Sequence, residues 1–269
     1  MMTKKPHPLE GTVVLLTTAN SPVISALAEK LAKLGAHVNV AGSCTPEPEA
    51  LSANGIKTYP ANLSSRAELV QVINDINSNH GPIDLLINGA EISIPGLARN
   101  LTPEDWEEVL GTSVMGTVNG IELVYPDMVR RGVGHIVNLG SVFSEIPRTC
   151  AAPHAASKAF ILGLDRSLGP EASHAGISLT LVLQGLIGLD NLEDINIAGP
   201  EKRKALSGFS ESDAEKTANV ILEGITKKKR RIFCPPVQAR VLWHVAHWFP
   251  FLLRPLQKKF IKPFASEKP

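Results

Sequence analysis

Short apolar segments rich in β-branched residues alternate along this chain with longer segments whose apolar positions repeat with a helical period. Strands are predicted at 12–17, 37–41, 56–59, 84–87, 135–139, 177–183 and 231–234. Helices are predicted at 25–34, 66–77, 103–131, 153–174 and 212–226. Such alternation is typical of parallel strands joined by right-handed crossovers. The pattern therefore predicts a doubly wound α/β fold, with a parallel sheet of about seven strands and helices on both faces.

Composition changes this picture little. The formal net charge of +1 gives no indication of a nucleic-acid partner. The three cysteines are far apart in sequence, which indicates neither a disulfide framework nor a metal site. No apolar leader and no apolar run of about 18 residues is present, so we expect a cytoplasmic protein. We expect a disordered tail at 1–10, one domain at 11–235 and an aromatic, basic extension at 236–269.

In a doubly wound sheet, ligands bind beyond the carboxyl ends of the strands, and three motifs lie at or near those ends. They are Asp-Leu-Leu-Ile-Asn-Gly-Ala at 84–90, Gly-His-Ile-Val-Asn at 134–138 and Ala-Ser-Lys-Ala-Phe at 156–160. With these motifs the chain resembles the short-chain dehydrogenase/reductase family from about Gly11 to Cys234. The resemblance implies a Rossmann-like fold, NAD(P) binding and hydride transfer.

The resemblance is weakest where the family binds its cofactor. The family's glycine-rich bend reads Thr-Thr-Ala-Asn-Ser-Pro-Val-Ile at 17–24, without glycine. The residues after the second strand, 42–44, include neither an acidic nor a basic cofactor selector. The family's Asn-Asn-Ala-Gly after the fourth strand reads Asn-Gly-Ala-Glu at 88–91, so Gly89 replaces an Asn and Glu91 replaces a glycine that lines the cofactor. Two interpretations stay open: the phosphate cradle is closed, or a rearranged loop still holds phosphates. The remaining cofactor contacts implied by the resemblance are Thr17, Asn20, Ser21, Asn62, Asn88 and Lys158.

The catalytic positions implied by the resemblance are partly changed. Ser141 and Lys158 are retained, whereas Ser113 stands for the family's Asn and His154 for its Tyr. His154 and Lys158 are four residues apart and therefore share a helix face. Two roles stay open for His154: it acts as a base or weak acid, or it only fills the space of the family's Tyr. We expect the substrate cleft to include Glu91, Gln184 and Leu186, with Leu189 at the position of a nicotinamide-binding Thr.

Two further features lie outside the implied active site. Pro170 is expected to kink its helix or end it early, which would alter the family's usual dimer interface. Aromatic and basic residues are interleaved within 236–264, after a basic run at 227–231. Such a segment suits either a membrane surface or packing on its own domain or a second subunit.

The combined departures from the family pattern predict that standard NAD(P)-dependent hydride transfer has been lost. Two functions follow from that prediction. One is a non-redox enzyme, such as a cyclase, isomerase or lyase, that acts on an apolar small molecule in the old cleft. The other is a pseudoenzyme subunit that pairs with an active relative. The assembly stays open between a homo-oligomer and a hetero-oligomer with such a relative. Neither a cofactor nor a metal is then expected. The alternative is an atypical NAD(P)-dependent oxidoreductase of a hydrophobic alcohol or ketone.

Overall fold

The computed structural model describes residues 7–18, 21–42, 51, 54–145, 149–185, 211–253 and 255. These residues contain a parallel sheet of seven strands in the order β3-β2-β1-β4-β5-β6-β7, which confirms the predicted fold class. The strands are β1 Val13–Thr18, β2 His37–Gly42, β3 Lys57–Pro60, β4 Leu85–Asn88, β5 His135–Ser141, β6 Ser178–Gln184 and β7 Arg231–Cys234.

Helices cover both faces of this sheet. They are α1 Pro22–Lys33, α2 Arg66–His80, α3 Pro103–Leu110, α4 Gly116–Arg131, α5 Ala152–His174, α6 Glu211–Thr226 and α7 Pro236–Trp248. Successive strand residues point to opposite faces, so Val14 and Leu16 pack with α1 and α6 on one side. Leu15 packs with α2 and α4 on the other side. Burial on both faces explains why the central strands are continuous apolar runs.

Two helices differ from the sequence-based predictions. A π-helical turn, Gly111–Met115, separates α3 from α4, whereas one continuous helix was predicted over 103–131. Pro170 was predicted to kink its helix or end it early. Early termination is wrong, because α5 continues through Pro170 to His174, and the kink stays a prediction. Pro170 lies within the last turns of α5, where losing one backbone N–H removes a single hydrogen bond.

Helix α7 packs against the β7 edge of the sheet. Ala239 and Trp243 join the buried cluster of Val142, Ile161, Leu162, Leu181 and Leu183. No helix within the described ranges is long and apolar enough to cross a membrane. Residues 1–6, 254 and 256–269 of the predicted tail and extension lie outside the described residues, so the proposed domain limits stay a prediction.

Candidate active site

The candidate site lies at the carboxyl ends of three neighbouring strands. Glu91 follows β4, while Ser141 and Gln184 are the last residues of β5 and β6 and are paired in register. Helix α5 begins beside this edge and carries His154 and Lys158 on one face, and both are buried. The sheet therefore gathers the retained positions and their neighbours, which are distant in sequence.

Lys158 is held by two oxygen atoms. Its Nζ contacts the Glu91 carboxylate in a close ion pair and donates to the Leu139 carbonyl oxygen at 3.1 Å. The Lys158 side chain is 3% exposed and that of Glu91 is 35% exposed. A buried ammonium needs such partners, because an uncompensated charge in the interior is strongly destabilising. Glu91 therefore points into the site.

The charge state of Glu91 follows from its neighbours. Partial burial disfavours the carboxylate, but the Lys158 ammonium, His154 and the hydrogen bond from Lys158 together outweigh burial and lower the pKa of Glu91. Glu91 is thus an anion at neutral pH. The site accordingly contains a cation and an anion in contact, with the His154 imidazole close enough to act electrostatically on the anion.

Ser113 fastens the loop that carries Glu91. Its Oγ accepts a hydrogen bond from the Ile92 backbone N–H at 3.2 Å, and its carbonyl oxygen accepts one from the Thr117 hydroxyl at 2.9 Å. Ser113 is the middle residue of the π-helical turn, a feature found frequently at functional sites. The π turn therefore sets the direction of Ser113 towards the loop after β4.

Ser141 and His154 are anchored by backbone contacts. The Ser141 hydroxyl donates to the Gln184 carbonyl oxygen at 3.1 Å. The His154 carbonyl oxygen accepts from the Ser157 hydroxyl at 2.8 Å, inside the first turns of α5. These contacts place the two residues at the same end of the sheet as Lys158.

The bend after β1 keeps part of an anion-binding geometry. Thr17 and Thr18 are buried, and the Thr18 hydroxyl accepts from the Ser21 backbone N–H at 3.1 Å. Ser21 is the N-cap of α1, but its side chain makes no capping hydrogen bond, and Pro22 is the first helical residue. The first N–H groups of a helix lack intrahelical acceptors and attract anions. Pro22 removes one of these donors and leaves those of the following residues.

Ile24, which replaces a family glycine, is accommodated by a second substitution. A Cβ atom on Gly89 would lie 2.4 Å from Ile24 Cδ1 and 3.1 Å from the Thr17 carbonyl oxygen. Only a glycine at 89 leaves room for the buried Ile24 side chain. Sequence reasoning missed this pair, although both positions depart from the family pattern.

The other predicted cofactor residues are dispersed. Asn88 is buried, and its Nδ2 donates to Asn138 Oδ1 at 2.9 Å, joining β4 to β5. Asn62 is exposed and caps its own turn, accepting from the Ser64 N–H at 3.0 Å. Asn20, Leu186, Leu189 and 43–44 lie outside the described residues. The described chain contains no group of three or more His, Cys, Asp or Glu side chains that could hold a metal ion.

Comparisons with known proteins give a consistent result. A family model described as short chain dehydrogenase matches residues 12–199. The chain is 30% identical over 194 residues to a 3-oxoacyl-[acyl-carrier-protein] reductase of Vibrio cholerae, covering 70% of this chain and 78% of that protein. It is 30% identical over 192 residues to an acetoacetyl-CoA reductase of Rhizobium meliloti, covering 71% and 78%. A 3-ketoacyl-(acyl-carrier-protein) reductase of Brucella melitensis complexed with NADH matches with a TM-score of 0.62 and 25% identity, over 66% of this chain and 76% of that chain.

These comparisons contradict the prediction that hydride transfer has been lost. The similar proteins are named as reductases, and one is a complex with NADH, so the oxidoreductase alternative fits better than a non-redox enzyme or a pseudoenzyme. The expectation that no cofactor binds rested on the same prediction, and a similar reductase is complexed with NADH. The prediction rested on the combined changes in the cofactor and catalytic motifs. In the structure, two of the altered residues have close partners: Ile24 packs on Gly89, and Glu91 pairs with Lys158.

Proposed function

Because this chain belongs to the short-chain dehydrogenase family, we propose that it is an atypical NAD(P)-dependent oxidoreductase that interconverts an apolar alcohol and its ketone. One observation carries the proposal. The sheet brings Ser141, His154 and Lys158 together beyond its carboxyl ends, where ligands of such sheets bind. Besides a hydride donor, carbonyl reduction needs a proton donor and groups that stabilise the developing oxyanion, and a hydroxyl, an imidazole and a buried ammonium can supply these.

The residues of this chain fit a dinucleotide along two stretches. The α1 N-terminus, with the backbone N–H groups of Val23 and Ile24, would hold the pyrophosphate. Thr17 and Ser21 border that stretch, and Lys158 would hold a ribose once Glu91 turns away. When bound, the cofactor supplies or accepts the hydride.

Each side chain has a distinct task in this proposal. The Ser141 hydroxyl leaves the Gln184 carbonyl oxygen and donates to the substrate oxygen, which orients the carbonyl. His154 gives that oxygen a proton during reduction and takes the proton back during oxidation. The Lys158 ammonium stabilises the negative charge that develops on the oxygen, because it acts in a buried environment.

An apolar substrate is supported by the loop after Glu91. This loop reads Ile-Ser-Ile-Pro-Gly-Leu at 92–97, and its side chains are buried or half-buried at the edge of the site. The similar proteins named above reduce 3-oxoacyl and acetoacetyl thioesters by name, which are ketones on acyl chains. We therefore include medium-length 3-oxoacyl thioesters among the first substrates to test.

Calorimetric titration with NADH and NADPH tests the proposal directly. We expect saturable binding of one of them, and oxidation of that cofactor on addition of ketone. The His154→Phe variant should lower kcat by at least about 100-fold, the usual contribution of general acid–base catalysis. The matched control is His174→Phe, at the last residue of α5. Absence of binding of both cofactors to folded protein would refute the proposal.

A further inference from the structure

An apolar surface, here called the α7 surface, lies on the outer side of helix α7 and of the 3-10 turn Pro250–Leu253 that follows it. Its exposed side chains are Val237, Val241, Trp248, Phe249, Phe251 and Leu252. Over the described residues, ten large apolar side chains are exposed, and these six lie within sixteen consecutive residues. Large exposed patches of this kind mark interaction sites.

The α7 surface follows from the amphipathic arrangement of the helix. Val237, Val241 and Trp248 are spaced by four and seven residues and so form one stripe along the helix. The opposite stripe, Ala239, Trp243 and Ala246, is buried against the domain. Helix α7 is therefore anchored by one face while the other presents apolar side chains, including Trp248 at 67% exposure.

Exposed cations accompany this surface. In sequence, the stretch from Lys227 to Ser266 contains ten Lys and Arg residues and no Asp or Glu. Among those that the structure describes, Lys227 and Lys229 contact Glu223, and Arg230 pairs with Asp165. Arg231 lies over the Trp243 ring at 5.2 Å and Arg240 over the Phe233 ring at 5.4 Å, and both arginines are exposed. Glu145, which contacts His247, is already paired with Arg166.

We propose that the α7 surface docks on an anionic lipid bilayer. Tryptophan and phenylalanine side chains flanked by cations suit the interface of such a bilayer. A cationic surface is attracted to the negative potential of anionic lipids. A second copy of this chain would bring an equally positive surface against the first, which like-charge repulsion disfavours. Residues 256–269 include four lysines and one glutamate, so they are poor partners for the same reason.

Co-sedimentation of the full chain with vesicles tests this proposal. Phosphatidylcholine vesicles are compared with vesicles containing roughly one third phosphatidylserine, at low and high salt. We expect binding to the anionic vesicles at low salt, and roughly tenfold weaker binding of the double variant Trp248→Ser, Phe251→Ser. The matched control is Phe160→Ser, which removes an exposed phenylalanine on α5. That variant should bind like the wild type.

Three results would overturn the proposal. The first is no binding to anionic vesicles at low salt. The second is equal binding of the double variant and the wild type, because the apolar side chains then do not enter the bilayer. The third is a dimer in light scattering that the double variant dissociates, which would assign the surface to a second copy. Because these experiments need no cofactor, they are independent of the proposed oxidoreductase function.

Discussion

Replacing Glu91 by glutamine should strengthen NAD(P)H binding. In the structure, the Glu91 carboxylate occupies Lys158, the cation that would otherwise contact the cofactor. The Glu91→Gln variant keeps the size of the side chain and removes its charge. Lys158 then keeps its hydrogen bond to the Leu139 carbonyl oxygen and becomes available to an incoming ligand.

The size of the effect follows from the contact that a cofactor must displace. A hydrogen bond between charged groups contributes about 1.5–3 kcal/mol. The carboxylate side is 35% exposed, so solvent screening favours the lower end of that range. About 1.4 kcal/mol corresponds to a tenfold change in an equilibrium constant. We therefore expect roughly tenfold tighter binding, with a further gain from reduced repulsion of the anionic pyrophosphate.

Isothermal titration with NADH and NADPH measures this change. The control is Glu122→Gln, which removes a carboxylate of the exposed ion pair with Arg66 and should leave the affinity unchanged. Urea denaturation should show a stability loss of up to about 3 kcal/mol for Glu91→Gln, since Lys158 loses its charged partner. Titrations are therefore run where both variants are folded.

Competition between Glu91 and the cofactor is refuted if the wild type binds a cofactor and Glu91→Gln binds it equally or more weakly. That result would mean that Glu91 positions the cofactor rather than competing with it. If neither the wild type nor Glu91→Gln binds NADH or NADPH, the proposed oxidoreductase function is refuted instead.

Two further predictions concern stability. Burial, helped by nearby Lys228, lowers the pKa of His135 to about 4 from 6.5, so stability should fall by about 3 kcal/mol as pH falls from 6.5 to 4. Urea titrations at several pH values should show a shallower fall for His135→Gln. Gly89→Ala should destabilise the protein by about 1–3 kcal/mol through overpacking on Ile24. In a double-mutant cycle, Ile24→Ala with Gly89→Ala should cost less than the sum of the two single changes, and strict additivity would contradict the contact.

The strands could be predicted from the sequence because burial on both faces leaves an unambiguous pattern. The run that became β1 consists of consecutive buried residues, and its predicted limits differ from the observed ones by one residue. The π turn at Gly111–Met115 could not be predicted, because one helical turn with an extra residue hardly changes the apolar period. The direction of the Ser113 side chain, which depends on this turn, could therefore not be predicted either.

The sequence predicted that Ser141, His154 and Lys158 lie near one another, but it did not predict their contacts. These positions follow from the family motifs, whereas the partner of Glu91 lies 67 residues further along the chain. A local sequence gives no direction for a side chain in a loop, so the inward turn of Glu91 needed the folded sheet. The functional prediction failed because it equated altered motif residues with lost cofactor binding, whereas the similar proteins are named as reductases and one is complexed with NADH.

Gly185 lies between the candidate active site and helix α7. Gly185 follows Gln184, the acceptor of the Ser141 hydroxyl, and a Cβ atom there would lie 3.1 Å from that of Ala239 in α7. Its backbone N–H also donates to the Cys234 carbonyl oxygen at 2.6 Å. A side chain at position 185 would therefore crowd Ala239 of α7 directly beside the residue that accepts the Ser141 hydrogen bond. The close packing of α7 on the domain thus requires a glycine at this point of the chain.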